Sequence, residues 1–241
     1  PPELETRPLG LADAQSSDTP GREVVLRLKD ESGATLAWRE LLSVAETYRL
    51  MPRVDRWVVK NAFTALGRGE VDLPAGRSLL IRLSGQSLGD EDLLQFVLDC
   101  FEQTGVTPDR VCFELTEDAV ISNADSAHHF IGVLHGMGCR FGLGRVGRAP
   151  PSFDRLSKSR FSYLRFDGDL FRSITSDSGQ RAKLTTMIER ARLLGFRVVA
   201  EKIDEPAVVN DVVAVTIDWR VEGENVLHLV VHADGSIRRQ G

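Results

Sequence analysis

Short apolar runs alternate with helical stretches along most of the chain, and this alternation limits the fold more than any other feature. Because parallel strands need a long crossover between them, the alternation predicts an α/β fold with a mostly parallel sheet covered by helices. With about eight strands, closure into a (β/α)8 barrel is favoured over an open sheet. The predicted strands are residues 3–9, 23–28, 79–83, 111–115, 139–143, 163–166, 197–200 and 212–217. The predicted helices are residues 39–48, 53–66, 90–104, 122–136, 180–194 and 205–211.

The C-terminal tail departs from this alternation. Residues 226–231 (VLHLVV), a turn at residues 232–235 (HADG) and the following SIRR predict a β-hairpin. We therefore expect residues 1–22 to form a strand and a loop that belong to the barrel, residues 23–223 to form the body of the barrel, and residues 224–241 to add the hairpin.

Composition limits the kinds of partner. The net charge of -5 and the isoelectric point near 5.6 argue against bulk affinity for nucleic acid or for an anionic membrane, because both need a basic face. No apolar run approaches the 18 or so residues that would cross a bilayer. Pro1 opens the chain without a signal-peptide pattern, so a piece of a longer protein is expected. Cys100, Cys112 and Cys139 are widely spaced, which favours neither a disulfide framework nor zinc, and indicates a reducing cytoplasm.

Carboxylates fall at the ends of several predicted strands. Glu114, Asp167 and Glu201 stand at or just after the ends of their strands, and Glu23 opens another. In a barrel of this kind the ends of different strands converge, so these side chains are candidates for one site. Such a cluster needs a metal ion, a proton or a positive side chain to offset its repulsion. The alternative is that all of them are solvated strand ends.

Ordered motifs give the chain a resemblance to a known family. EVVLRL at 23–28, ELTE at 114–117, LRFD at 164–167 and AEKID at 200–204 resemble those of the EAL-domain phosphodiesterases. RPL at 7–9 and LIRLSGQSL, which begins at residue 80, resemble the connecting segments, so the resemblance runs from about Glu3 to about Glu222. It implies a TIM-like barrel of the EAL type that binds cyclic di-GMP and, when intact, hydrolyses it with two divalent metal ions.

The departures from the family pattern imply lost catalysis. The resemblance places metal ligands on Glu23, Glu114 and Glu201 and keeps Asp167. It puts Arg82 where the family has a ligand asparagine, and Gly144 with Arg145 where it has an aspartate pair. Arg165 replaces a lysine that positions the attacking water. An arginine stays protonated and repels a metal ion, so we expect no bound divalent metal, no other cofactor and no efficient hydrolysis. An alternative role for the surviving acids is ion pairing, with Glu114 and Glu201 held by Arg82 and Arg145.

Nucleotide binding needs less than hydrolysis does. The resemblance gives Arg27 a phosphate contact and places Asp55 and Glu201 near the ligand. Glu23, Val25 and Leu26, which lie in the same segment as Arg27, complete the set of predicted ligand-binding residues. Arg7 stands where the family has a glutamine that contacts the ligand. For Arg27 the alternative is a strand arginine paired with a neighbouring acid.

Two further features predict no site. His128, His129 and His135 lack the spacing and third donor of a metal site, so they are expected on a helix surface or partly buried. The glycines at 142, 144 and 147 precede RAPP and predict a remodelled loop rather than a phosphate-binding turn.

Together these features predict a noncatalytic, cytoplasmic EAL-like signalling domain that binds cyclic di-GMP, docks a protein partner, or does both. The alternatives are a protein-interaction module without nucleotide binding and a weak residual phosphodiesterase. We expect this segment neither to bind nucleic acid nor to insert into a membrane. The sequence leaves open whether it forms a homodimer.

Overall fold

The computed structural model describes most of the chain in two compact units. The first unit contains Pro1–Pro8 and Pro20–Phe141, and the second contains Leu9–Thr19 and Gly142–Gly241. Each has a mixed α/β architecture. The described residues are 2–8, 20–28, 38–147, 160–167, 169–172, 177–201, 219–221, 228–231 and 237–240.

The first unit has four strands that neighbour one another in chain order. β1 (Pro2–Pro8) pairs antiparallel with β2 (Arg22–Leu28), whereas β2 with β3 (Leu79–Arg82) and β3 with β4 (Val111–Thr116) are parallel. The parallel pairs follow from the helices that connect them. The register sets Glu23 opposite Leu80.

The described residues of the same unit also form six α-helices and one 3-10 turn. Phe63 of the second helix packs edge-to-face on Phe101 of the fourth, with ring centroids 4.7 Å apart. The first three helices are α1 (Trp38–Thr47), α2 (Met51–Gly67) and α3 (Gly85–Leu88). They are followed by α4 (Leu93–Thr104), the 3-10 turn (Pro108–Arg110), α5 (Glu117–Ser122) and α6 (Ala124–Met137).

Helix α2 shows why these segments fold as they do. Its apolar residues recur at helical spacing, so Val59, Ala62, Phe63 and Leu66 lie on one face and are buried. Pro52 stands in the first turn, where its missing N–H costs no hydrogen bond. The same face carries one buried acid, Asp55.

Among its described residues the second unit contains four parallel strands in chain order, two helices and a C-terminal hairpin. Arg140 and Phe141, at the start of the first of these strands, belong to the first unit. The strands are β5 (Arg140–Val146), β6 (Tyr163–Phe166), β7 (Arg197–Glu201) and β8 (Trp219–Val221), and the helices are α7 (Asp169–Arg172) and α8 (Ser178–Leu193).

The predicted C-terminal hairpin is confirmed. β9 (His228–Val231) pairs antiparallel with β10 (Ile237–Gln240), and its first register pair joins Ile237 to Val231. The turn between them lies outside the described residues, as do the predicted strand 212–217 and the predicted helix 205–211.

The structure corrects one sequence prediction and adds a short helix. The glycine-rich run is not a loop up to residue 146, because β5 continues through Gly142 and Gly144 as far as Val146. Strand pairing with β6 holds that segment extended, although the register shifts between Leu143 and Val146. The helix predicted at 122–136 is confirmed as α6 with slightly shifted limits, but the separate short helix α5, which ends just before it at Ser122, was not predicted. No helix in the described ranges is long and apolar enough to cross a membrane.

Candidate functional site

Three charged side chains from neighbouring strands meet in the first unit. Arg82, at the end of β3, donates from Nη2 to Glu23 Oε2 at 3.3 Å and lies with its Nε 3.2 Å from Glu114 Oε1. Glu23 is on β2 and Glu114 on β4. One guanidinium therefore bridges carboxylates on the strands at either side, and we call these three residues the ion cluster.

The register of the strands explains how the ion cluster forms. Arg82 lies directly opposite Glu114 in the parallel β3–β4 pair. Glu23 lies opposite Leu80, and Leu80 shares a sheet face with Arg82 because strand side chains alternate. A long arginine side chain can span that offset. Strand pairing therefore brings Glu23 next to Arg82, although the two residues are 59 positions apart in the chain.

Burial makes these ion pairs consequential. The side chains of Glu23 and Glu114 are only 3% and 6% exposed, whereas that of Arg82 is 40% exposed. Each carboxylate has lost most of its hydration, and a nearby positive charge offsets that loss. The arginine itself remains accessible to solvent.

The ion pair predicted between Arg82 and Glu114 is thus confirmed. Its second carboxylate, Glu23, was assigned to the site but not to this arginine. The missed signal is the position of Glu23 at the start of a strand adjacent to β3. The other predicted pairing, of Glu201 with Arg145, stays a prediction because the Glu201 side chain lies outside the described part of the chain.

Asp55 is buried on α2 and is hydrogen-bonded to the turn that follows β3, and its predicted ligand contact stays a prediction. Asp55 is 4% exposed, and its Oδ2 accepts hydrogen bonds from the backbone N–H of Ser84 at 2.7 Å and from Ser87 Oγ at 2.6 Å. Burial raises the pKa of Asp55 above its ordinary value of 3.8, and the hydrogen bonds from Ser87 and Ser84 oppose that rise. The carboxylate therefore holds the turn between β3 and α3.

Sequence reasoning missed Ser84 and Ser87. Ser84 is the N-cap of α3 and accepts a hydrogen bond from the backbone N–H of Ser87 at 3.2 Å. The two hydroxyls also lie 3.0 Å apart. Their spacing immediately after an apolar strand is a helix-capping pattern and could have been recognised.

The other predicted nucleotide ligands are only partly described. Val25 and Leu26 are half-buried on β2. Arg27 lies on the same strand with its backbone opposite Glu3 of β1, and its side chain is outside the described part of the structure. The side chain of Arg7 is outside it as well. Within the described residues no group of three or more His, Cys, Asp or Glu side chains is placed to hold a metal ion.

The second unit carries the remaining predicted positions. Gly144 is buried in β5, and Arg145 follows it with a left-handed φ of 55°. Asp167 Oδ1 accepts a hydrogen bond from the backbone N–H of Asp169 at 3.1 Å, which caps α7. Arg165 is completely buried in β6. Glu201 ends β7 with its backbone opposite Val221.

Within the described ranges, the histidines and cysteines join no group that could hold a metal ion. His128, His129 and His135 are exposed on α6, as the sequence predicted for a helix surface. All three cysteines are free thiols in buried positions. Burial raises the pKa of Cys139 to about 12, so this thiol stays protonated.

Comparisons with known structures identify the class of fold. The EAL domain of FimX from Pseudomonas aeruginosa, solved with cyclic di-GMP, superimposes with a TM-score of 0.77 at 19% identity, covering 91% of this chain and 87% of that one. The PaMucR phosphodiesterase in its cyclic di-GMP complex gives a TM-score of 0.78 at 19% identity, covering 91% and 88%. The predicted TIM-like α/β fold is confirmed.

The family follows from the sequence. The model of the EAL domain matches residues 10–223, so the chain belongs to the EAL domain family. Cyclic di-GMP phosphodiesterase PdeB of Shewanella oneidensis is 26% identical over 204 residues, and PdeF of Escherichia coli is 25% identical over 197 residues. These matches cover 85% and 82% of this chain but only 24% and 26% of the two relatives. The chain thus spans about a quarter of their length.

Proposed function

We propose that this chain is a noncatalytic EAL domain that works in signalling by binding cyclic di-GMP, by docking a protein partner, or by both. The observation that carries the proposal is the bridging of Glu23 and Glu114 by Arg82. The resemblance assigns both glutamates to metal coordination in active relatives. Here the same carboxylates face a fixed positive charge.

The ion cluster does not fit a divalent metal ion. At about 4 Å, and at an effective dielectric constant of about 20, a guanidinium opposes each charge of a metal ion by roughly 4 kcal/mol. Arginine does not lose its proton near neutral pH, so the repulsion cannot be relieved by titration. The resemblance also puts Gly144 and Arg145 where active relatives have an aspartate pair, so the sequence lacks two further acidic ligands. We infer that divalent metal binding, and with it hydrolysis, has been lost.

Binding of cyclic di-GMP is the ligand function we favour. Solved relatives of the same fold are described as bound to that nucleotide, and curated relatives are named as its phosphodiesterases. Arg27, Asp55 and Glu201, together with Glu23, Val25 and Leu26, are the residues we assign to the nucleotide. A guanidinium is suited to a phosphate because its donors form a fork. No metal is needed for that contact.

A docking function has its own support. Val44 and Tyr48 lie one turn apart on or just after α1 and are 51% and 71% exposed, and Leu50 beside them is 40% exposed. Exposed apolar side chains grouped in this way are typical of surfaces that meet another protein. We also propose that the domain lies in the cytoplasm as part of a longer signalling protein. Its self-association as a homodimer is one form that docking can take.

Calorimetric titration with cyclic di-GMP tests the ligand function. We expect the chain to bind the nucleotide, and Arg27→Ala to weaken binding at least about tenfold through loss of a charge-assisted contact. Arg53→Ala is the matched control, because Arg53 is exposed on α2. No heat at high micromolar nucleotide would leave only the docking module.

A turnover assay tests the loss of catalysis. With Mg²⁺ or Mn²⁺ present, the chain should release no linear pGpG from cyclic di-GMP. Turnover that Glu23→Ala abolishes would instead establish a residual phosphodiesterase and contradict the proposal.

A further inference from the structure

Asp55 is tied to the ion cluster through the turn that follows β3. Its Oδ2 accepts the backbone N–H of Ser84 at 2.7 Å, and the preceding residue, Leu83, donates its N–H to the carbonyl oxygen of Glu114 at 3.0 Å. Arg82 comes directly before these two residues. The backbone on its C-terminal side is therefore fixed by consecutive hydrogen bonds, one to α2 and one to β4.

The contacts at Asp55 are those of a support for the backbone. The side chain is 4% exposed, and Ser87 Oγ donates to the same oxygen at 2.6 Å. The hydroxyl oxygens of Ser84 and Ser87 also lie 3.0 Å apart. The Asp55 carboxylate and the two serines at the start of α3 therefore form one hydrogen-bonded group. A buried carboxylate that accepts several hydrogen bonds restricts the positions of the groups that donate them.

We propose that Asp55 is a positioning residue, which holds the β3–α3 turn so that the guanidinium of Arg82 stays between Glu23 and Glu114. This inference deepens the proposed function, since it concerns the same cluster. It gives Asp55 a role in addition to the ligand role that the family resemblance implies. Its geometry involves only residues of the first unit.

The test records the Arg82 Nε–H resonance by NMR in nucleotide-free protein, with the signal assigned by its loss in Arg82→Lys. In the unaltered chain this proton should exchange slowly with solvent because it faces Glu114 Oε1 at 3.2 Å. Asp55→Ala should shift the signal and speed its exchange at least about tenfold, which corresponds to one hydrogen bond to a charged group. Asp55→Asn keeps an acceptor oxygen and should restore the slow exchange.

Two further variants separate positioning from general stability. Val97→Ala removes methyl groups from a completely buried residue of α4, so it should lower stability without moving the Arg82 signal. Ser87→Ala removes one of the two donors to Asp55 and should give a smaller change than Asp55→Ala. It also serves as the informative variant if Asp55→Ala does not fold.

An Arg82 signal in Asp55→Ala or Ser87→Ala that behaves as it does in Val97→Ala would overturn the inference. A chain that does not bind the nucleotide at all would refute only the ligand function, since the resonance is measured without nucleotide.

Discussion

Arg82 and Glu114 face each other directly across the parallel strands β3 and β4, with Nε of the arginine 3.2 Å from Oε1 of the glutamate. The glutamate side chain is 6% exposed and the arginine side chain is 40% exposed. A partly solvent-exposed guanidinium thus pairs with a carboxylate that has little contact with water. Arg82 also pairs with Glu23, whose side chain is 3% exposed, so one guanidinium serves two buried carboxylates.

Removing the arginine should destabilise the fold. Arg82→Ala leaves two desolvated carboxylates without the guanidinium, and we expect the free energy of unfolding to fall by about 3 kcal/mol. Urea denaturation at neutral pH measures it. Arg53→Ala, at an exposed position of α2, should stay within about 0.5 kcal/mol of the unaltered chain. Equal effects of the two substitutions would mean that the ion cluster contributes nothing.

Replacing the arginine by asparagine should open a cation site. Arg82→Asn exchanges a positive charge for an amide oxygen beside two carboxylates, and oxygen ligands suit Mg²⁺ and Mn²⁺. We expect Mn²⁺ to raise the melting temperature of this variant but not that of the unaltered chain. The double variant Arg82→Asn with Glu114→Gln removes one carboxylate charge and should lose most of the response. Stabilisation of the unaltered chain by Mn²⁺ would argue against metal loss.

Gly142 should tolerate no side chain. A Cβ at this position would overlap the ring of Tyr163, which is buried and pairs with Gly142 across β5 and β6. Gly142→Ala should therefore cost about 1 to 3 kcal/mol in unfolding free energy, as overpacking does. Gly136→Ala is the control of opposite sign: its added Cβ meets nothing within 4 Å on helix α6, so it should stabilise by roughly 0.5 to 1 kcal/mol.

Burial of Asp55 should make the free energy of unfolding depend on pH. Because burial raises its pKa in the folded chain above the ordinary value of 3.8, the folded state binds this proton more readily than the unfolded state does. The cost of holding the ionised carboxylate is therefore present at neutral pH and is relieved as pH falls through the folded pKa. We expect the stability of the unaltered chain relative to Asp55→Asn to rise between pH 7 and pH 4. A flat or falling difference in urea denaturation would contradict the raised pKa.

Local pattern was enough for the elements that strand and helix periodicity define. The run at residues 163–166 is β6 with the same limits, and the tail hairpin is found where turn residues separate the apolar run at 226–231 from the polar SIRR segment. Glycine spacing was misleading at residues 142–146, because pairing with β6 keeps a glycine-rich segment extended that would by itself favour a loop. The sequence prediction also missed the short helix α5.

For this protein the sequence by itself determined the α/β class and the family, since these depend on residue type and order. The loss of metal ligands at Arg82, Gly144 and Arg145 stays a prediction from the family resemblance. Only the tertiary structure decided that Arg82 bridges Glu23 as well as Glu114, and that Asp55 is enclosed by Ser84 and Ser87. Those contacts depend on the register of β2, β3 and β4 and on the docking of α2. Distances of a few ångströms between residues far apart in the chain are set by packing, which no local pattern encodes.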